Sequence, residues 1–377
     1  MYGLSRFKKS FLLILIGLSF STSYYLRDFL VLLFSLILLL IYSNIFIFKL
    51  SKIKSYITII ISILFSFSIF EVIYKTYPLL KKEDQNKLVY DSKILKEYPI
   101  QGGLIKFRQD GGGPGSYRST AKTKSDKVIF DVIININKNQ LRNNPNNKDS
   151  NSKQINIFGA SHIFGWGLND NETLPYYLSK KFKKTNVYNF SRGGWGINAG
   201  IFILENEKKL QGDINILVVG GKNESKLIYC FNYYTTGQPR YILRDNKLIQ
   251  KGYCDPFYGN KILDKSFFLT FIRKKYLSLL SKDQNLKIKL IEKFINISEK
   301  RNQIPIIAMW DGSELNFMSK NLNLISIKLN YETLEKNDQK KYIIHEKDTH
   351  PTALANSMKA ELLYKYIQKN NYLSLNN

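Results

Sequence analysis

Residues 155–162 read Ile-Asn-Ile-Phe-Gly-Ala-Ser-His, a short apolar run that stops at Gly159 and opens into a loop carrying Ser161 and His162. Thr173 to Lys183 follows with helical spacing, then a brief strand at Val187 to Phe190 and a second helical stretch at Asn198 to Leu210. Ile214 to Gly220 (INILVVG) is apolar and β-branched, the composition of a strand buried on both faces. Asp283 to Lys300 repeats the helical pattern, Ile304 to Trp310 is another apolar strand, and Leu324 to Leu329 reads as a fifth. Thr352 to Gln368 closes the series as a helix, with Thr352 as its N-cap just after Pro351. Strands alternating with helices predict an α/β domain, a parallel sheet covered by helices on both faces. Ligands of such sheets bind beyond the carboxyl ends of the strands. The chemistry is therefore expected in the loops after Gly159, Phe190 and Gly220 and in the one ahead of Thr352.

The chain has 377 residues, room for roughly two to three domains. Its 56 Lys and Arg against 30 Asp and Glu give a formal net charge of +26. The lysines are spread through every segment beside an excess of Asn and Ile, and no helix-turn-helix, RNP or zinc-finger pattern occurs. A nucleic-acid binder would collect its cations on one face or in one motif, so no nucleic-acid partner is expected and dispersed surface charge is the better reading. With 44% hydrophobic residues the chain can bury a sizeable core. The 2 cysteines, Cys230 and Cys254, exclude a Cys-rich zinc module and a disulfide-stapled scaffold. They can pair or stay as free thiols. A multi-histidine metal site would need nearly all of His162, His345 and His350, and neither metal nor cofactor is expected.

Residues 1–80 read as a membrane anchor. Phe11 to Leu26, Phe29 to Phe48 and Tyr56 to Ile73 are apolar runs near the 20 or so residues that span a bilayer. Arg6, Lys8 and Lys9 precede the first, Arg27 alone lies in the first loop, and Lys49, Lys52 and Lys54 fill the second. The cation-rich segments stay cytoplasmic. Three spans then leave the rest of the chain, from about Lys75, on the outer side. Residues 81–152 form a polar lead-in with one strand, Val128 to Ile136, and an Asn-rich loop. A Tyr- and Phe-rich insertion, residues 227–280, interrupts the strand–helix alternation of residues 153–377.

The loops carry suggestive residues. Ser161, at a strand's carboxyl end, can project its hydroxyl out of the sheet as a nucleophile; a serine there also serves as a helix cap. Ile163 stands where the second glycine of an α/β-hydrolase elbow belongs, so that motif is absent. The loop Asn189-Phe190-Ser191-Arg192-Gly193-Gly194-Trp195-Gly196 offers backbone amides to an oxyanion, or simply a tight turn. Asn223, in Gly220-Gly221-Lys222-Asn223-Glu224, offers a neutral side-chain donor. In Asp348-Thr349-His350-Pro351, residues two apart on an extended chain point the same way. The Asp348 carboxylate can then hold one nitrogen of His350 while the other faces a nucleophile. His345 has no such partner and reads as structural.

Taken in order, these blocks resemble the SGNH (GDSL-type) hydrolase family over residues 128 to 369 or so. Gly159-Ala160-Ser161, followed by Gly165-Trp166-Gly167-Leu168, is similar to its nucleophile block. Asn189 with Gly194 matches the second block, Gly221-Lys222-Asn223-Glu224 the third, and Asp348 with His350 the last. Asn137 to Arg142 also resembles the N-x-x-G-x-R lead-in of membrane-associated relatives, with Gln140 in place of the glycine. The resemblance implies a flavodoxin-like three-layer parallel sheet, Ser161, His350 and Asp348 as catalytic residues, and an oxyanion hole from Ser161, Gly194 and Asn223. It implies a serine esterase or acyltransferase. Placed behind a membrane anchor, such an enzyme would act on acyl esters of an envelope polysaccharide or lipid. Two positions depart from the pattern. Ala160 replaces the aspartate that braces the nucleophile loop, and Glu224 replaces the last aspartate of the third block. Ala160 is what favours the alternative, a catalytically silent envelope protein that uses the fold to bind glycan or to scaffold an assembly.

Overall fold

The computed structural model describes residues 87–97, 114–148, 153–182, 184–207, 210–220, 228, 238–254, 285–310, 323–326 and 340–373. All belong to one of the two units into which the chain divides, Asp84–Asp255 with Leu280–Asn377. The anchor expected over residues 1–80 lies outside the described residues, as do Asn223, Cys230 and most of the aromatic insertion. Among the described residues, no helix is long and apolar enough to cross a membrane.

Three antiparallel strands come first, β1 (Leu88–Glu97), β2 (Gly115–Thr123) and β3 (Val128–Ile136), in the order β1-β2-β3. Next are β4 (Lys153–Phe158), the one-turn helix α1 (Ser161–Phe164), a 3₁₀ turn at Asp170–Glu172, α2 (Leu174–Lys181) and β5 (Thr185–Asn189). They are followed by α3 (Ile197–Asn206), β6 (Ile214–Val219) and a hairpin of β7 (Pro239–Arg244) and β8 (Lys247–Tyr253). The described chain ends with α4 (Asn285–Lys300), β9 (Ile304–Met309), β10 (Leu324–Ser326), β11 (Ile343–His345), β12 (Asp348–Pro351) and α5 (Ala353–Lys369). Five strands form one parallel sheet in the order β10-β9-β6-β4-β5. The chain moves outward from β4 to β5, then returns to the other side of β4 with β6. That reversal makes the carboxyl ends of β4 and β6 the topological switch point, the place where open α/β sheets bind ligands.

Both sheet faces are buried, which is why β9 (IPIIAM) and most of β6 (INILVV) are apolar rather than alternating. Ile214, Ile216 and Val218 of β6 pack with Leu174 and Leu178 of α2 and Ala360 and Leu363 of α5. Leu217 and Val219 turn the other way and join Ile201 and Leu204 of α3 and Leu290 and Phe294 of α4. The helices thus form an outer layer on each face, the three-layer architecture expected from the alternation. Buried asparagines interrupt the apolar pattern at Asn156 of β4, Asn186 and Asn189 of β5 and Asn215 of β6. Asn156 donates to Asn215 Oδ1 at 2.9 Å, and Asn215 donates to Gln303 Oε1 at 2.7 Å, so β4, β6 and the residue leading into β9 are linked without an unpaired polar group.

The lead-in needs correction. One strand was expected between residues 81 and 152, and three are present. The buried positions of β2 are Gly115, Tyr117, Ser119, Ala121 and Thr123, mostly small or polar, so its alternation is invisible in composition. β1 exposes Val89, Tyr90, Ile94 and Leu95, so its apolar residues mark no inner face. A further cluster joins this sheet to the domain: Phe130, Val132 and Ile134 pack with Phe164 of α1, and Trp166 and Ile344 sit against them. The hairpin of β7 and β8 falls within the segment read as an aromatic insertion. Cys254, just after β8, is buried and disulfide-bonded, and Cys230 is the other cysteine of the sequence.

Candidate active site

Ser161 is the first residue of α1, and the N-cap position belongs to Ala160, which supplies no side-chain cap. The serine hydroxyl does something other than capping: its Oγ lies 2.8 Å from His350 Nε2. The turn that presents it depends on Gly159, where a Cβ would lie 2.7 Å from Ile163 Cγ1. Nothing larger fits between the end of β4 and the helix that carries the serine. At the first turn of a helix the amides of the leading residues have no intrahelical acceptor, so positive partial charge surrounds the hydroxyl.

His350 and Asp348 lie on β12, extended as the sequence spacing requires. His350 Nδ1 is hydrogen-bonded to Asp348 Oδ1, and the His350 backbone amide donates to the same oxygen at 3.2 Å. The Asp348 side chain is 3% exposed and that of His350 23%. The carboxylate is therefore shielded while the imidazole stays within reach of a substrate. Burial alone would push the Asp348 carboxyl up. The hydrogen bonds and charge of His350, helped by the Tyr90 hydroxyl, outweigh burial and hold it below the usual carboxylate value. Asp348 Oδ2 accepts the Tyr90 hydroxyl at 2.9 Å. The four groups form one hydrogen-bonded line: Tyr90, Asp348, His350, Ser161. The neutral imidazole tautomer that donates from Nδ1 leaves Nε2 free to accept the serine proton.

Aromatic rings line the same rim. The His162 ring lies 4.8 Å from that of His350 and 5.2 Å from Trp310, and the Trp166 ring lies 6.5 Å from His350. Lys359 Nζ sits 3.1 Å from the centre of the Trp310 ring. The loop after β5 leaves the same sheet edge. Asn189 reaches back from that strand, its Nδ2 donating to Ile163 O at 3.0 Å, and so ties the second block to the nucleophile helix. Gly194 has φ 76°, a value that favours glycine and one that the tight turn requires. Arg192 in this loop is buried, and burial lowers its guanidinium to about 10, so it stays cationic at neutral pH. Among the described residues, no three His, Cys, Asp or Glu side chains are grouped to hold a metal ion.

Of the residues expected at the site, Ser161, His350 and Asp348 meet, and Gly194 stands at the same edge. Asn223 lies outside the described residues. His345 is engaged in its own turn, its Nδ1 accepting from the Lys347 amide at 3.1 Å. Two residues, Tyr90 and Asp170, carried no sequence signal, whereas Arg142 ends the lead-in stretch already singled out. Tyr90 comes from a strand that was not expected, 258 residues before the carboxylate it touches. Asp170 pairs with buried Arg142, whose Nε donates to it at 2.7 Å and whose Nη2 donates to Leu168 O at 2.7 Å. Arg142 thereby braces the loop after α1, the job that Ala160 has no group to do.

No protein-family model matches the chain, and no curated protein matches its sequence. Solved structures similar to it include a protein assigned to the G-D-S-L lipolytic family from Desulfitobacterium hafniense DCB-2. That likeness has 12% identity and a TM-score of 0.33, covering 57% of this chain and 99% of the other. A member of the lipolytic protein G-D-S-L family from Veillonella parvula DSM 2008 is similar at 13% identity and a TM-score of 0.34, covering 58% of this chain and 100% of the other. Superpositions this partial leave the case for function to the geometry of the site.

Proposed function

We propose that the chain is a serine esterase or O-acyltransferase of the SGNH type, acting on acyl esters, O-acetyl groups above all, of an envelope polysaccharide or lipid. The observation that carries this reading is the unbroken hydrogen-bonded line from Asp348 through His350 to Ser161 Oγ, set at the carboxyl edge of a parallel sheet beside its switch point. In the proposed reaction Ser161 Oγ attacks the ester carbonyl as His350 Nε2 takes its proton. His350 then gives that proton to the departing alkoxide, leaving an acyl-serine. Water, or a hydroxyl of a second molecule, attacks the acyl carbon while His350 again accepts a proton, which it returns to Ser161 Oγ as the acyl–serine bond breaks and the acid or new ester departs. Asp348 stays ionised and steadies the imidazolium. The proposed oxyanion donors are the amides of Ser161 and Gly194 and the side chain of Asn223, each such donor contributing about 10²–10³ in rate.

The substrate class and location rest on the apolar runs of residues 1–80, on the cation bias that sends the later residues outward, and on the disulfide of Cys254. Disulfides persist in oxidising, extracytoplasmic compartments. A second reading, a silent glycan-binding or scaffold protein, is favoured only by Ala160. The Arg142–Asp170 brace weakens it, because the nucleophile loop has another support.

Activity-based labelling separates the two. The full chain in detergent should react with a fluorophosphonate probe, whereas Ser161→Ala and His350→Ala should not. The wild type should also release acetate from envelope polymers. A folded wild type that neither labels nor releases acid would leave the silent reading in possession.

A further inference from the structure

We infer that Tyr90 is a positioning residue of this reaction, its hydroxyl fixing the carboxylate that orients His350. The inference rests on the proposed esterase function. Asp348 stands on a two-stranded ribbon, β11 with β12, whose register is irregular between Ile343 and His345. A two-stranded ribbon is marginally stable by itself, so the orientation of a carboxylate upon it needs an outside support. Asp348 Oδ1 is occupied by two donors of His350. The carboxylate can still turn about its last side-chain bond unless Oδ2 is held too. Tyr90 holds it, at 2.9 Å, from a different sheet.

The tyrosine is prepared for that contact. Its ring lies 6.3 Å from Phe130 and 6.2 Å from Trp166, tilted against both. Two aromatic neighbours set the ring's direction, so the hydroxyl arrives already aimed. Yet Tyr90 is 46% exposed on an edge strand, where the fold gains little from so large a side chain. Its hydroxyl, by contrast, reaches a carboxylate that is almost entirely shielded. Removing that donor leaves a buried carboxylate oxygen short of a partner and free to swing, and a swinging carboxylate no longer holds one imidazole tautomer toward Ser161.

The test compares wild type, Tyr90→Phe and Tyr90→Leu as full-length chains in detergent, with p-nitrophenyl acetate and a fluorophosphonate probe. Tyr90→Phe keeps the ring and loses only the hydroxyl. It should lower kcat about tenfold, leave KM unchanged and keep the wild-type thermal midpoint. Tyr90→Leu should lower kcat as much and the midpoint as well. Wild-type kcat in Tyr90→Phe overturns the inference, and so does a loss that merely follows a fallen midpoint. A wild type that the probe fails to label refutes the esterase reading itself and takes the role of Tyr90 down with it.

Discussion

Asp348 is a carboxylate whose burial favours the protonated form, and its neighbours reverse that preference. Because its folded value is depressed, the ionised form stabilises the fold. That contribution is fully present above the ordinary carboxylate range and is lost as pH falls through the lower folded value. Asp348→Asn preserves the shape while removing the charge, and its amide favours the wrong imidazole tautomer. It should slow fluorophosphonate labelling at pH 7 by about 10²–10⁴. Urea midpoints of wild type and variant should differ at neutral pH and converge only as the solution is acidified below the ordinary carboxylate value. A gap as wide in acid as at neutrality would mean that the Asp348 charge does not stabilise the fold. At this scale the sequence was partly legible. Asp348 and His350 could be paired from a spacing of two on an extended segment, and Ser161 from its place after an apolar strand. Tyr90 and Asp170 could not, because each acts by meeting a residue brought near only by tertiary packing.

Turns matter here as much as strands, and the one over Asn137 to Arg142 shows why. Asn137 Oδ1 accepts the amides of Asn139 and Leu141, each at 3.0 Å, closing the chain on itself. Gln140, at its tip, has φ 62°, a left-handed conformation that costs a side-chain-bearing residue about 1–2 kcal/mol. The turn delivers Arg142 to Asp170 and bridges it to Ile136 and Asn189, so the strain is stored beside the nucleophile loop. Gln140→Gly should relieve it. Allowing for the added freedom of glycine in the unfolded chain, the net gain should be about 0.5–1 kcal/mol, read as a higher urea midpoint with labelling of Ser161 unchanged. Gln140→Ala, which keeps the strain, should be neutral; a glycine variant less stable than the alanine one would refute this account. Elements with both faces buried, such as Ile304–Met309, announce themselves by unbroken apolar runs. β1 and β2 do not, because one exposes its apolar residues and the other buries small polar ones. The N-cap of α5 was readable at Thr352, whose hydroxyl accepts the Ala355 amide at 3.4 Å, since capping is a local rule.

For the molecule as a whole, the proposed function turns on which side of a membrane residues 84–377 would face. Arg6, Lys8 and Lys9 stand before the first apolar run and Lys49, Lys52 and Lys54 between the second and third, against Arg27 alone between the first and second. The proposed orientation keeps the cation-rich segments inside, with three crossings and the later residues outside. The disulfide of Cys254 fits that proposed orientation, because cytosolic reductants would keep a thiol there reduced. A reporter that matures only outside the cytoplasm, fused after Asn377, should therefore be active in cells, and one that works only in the cytosol should be silent. Full-length chain taken from unreduced cells should react with a maleimide only after treatment with a reductant. The reverse pattern in both assays would place Ser161 in the cytosol. The triad could then keep its geometry and its probe reactivity, but an envelope substrate would be out of reach and the ester would have to be sought on a soluble metabolite.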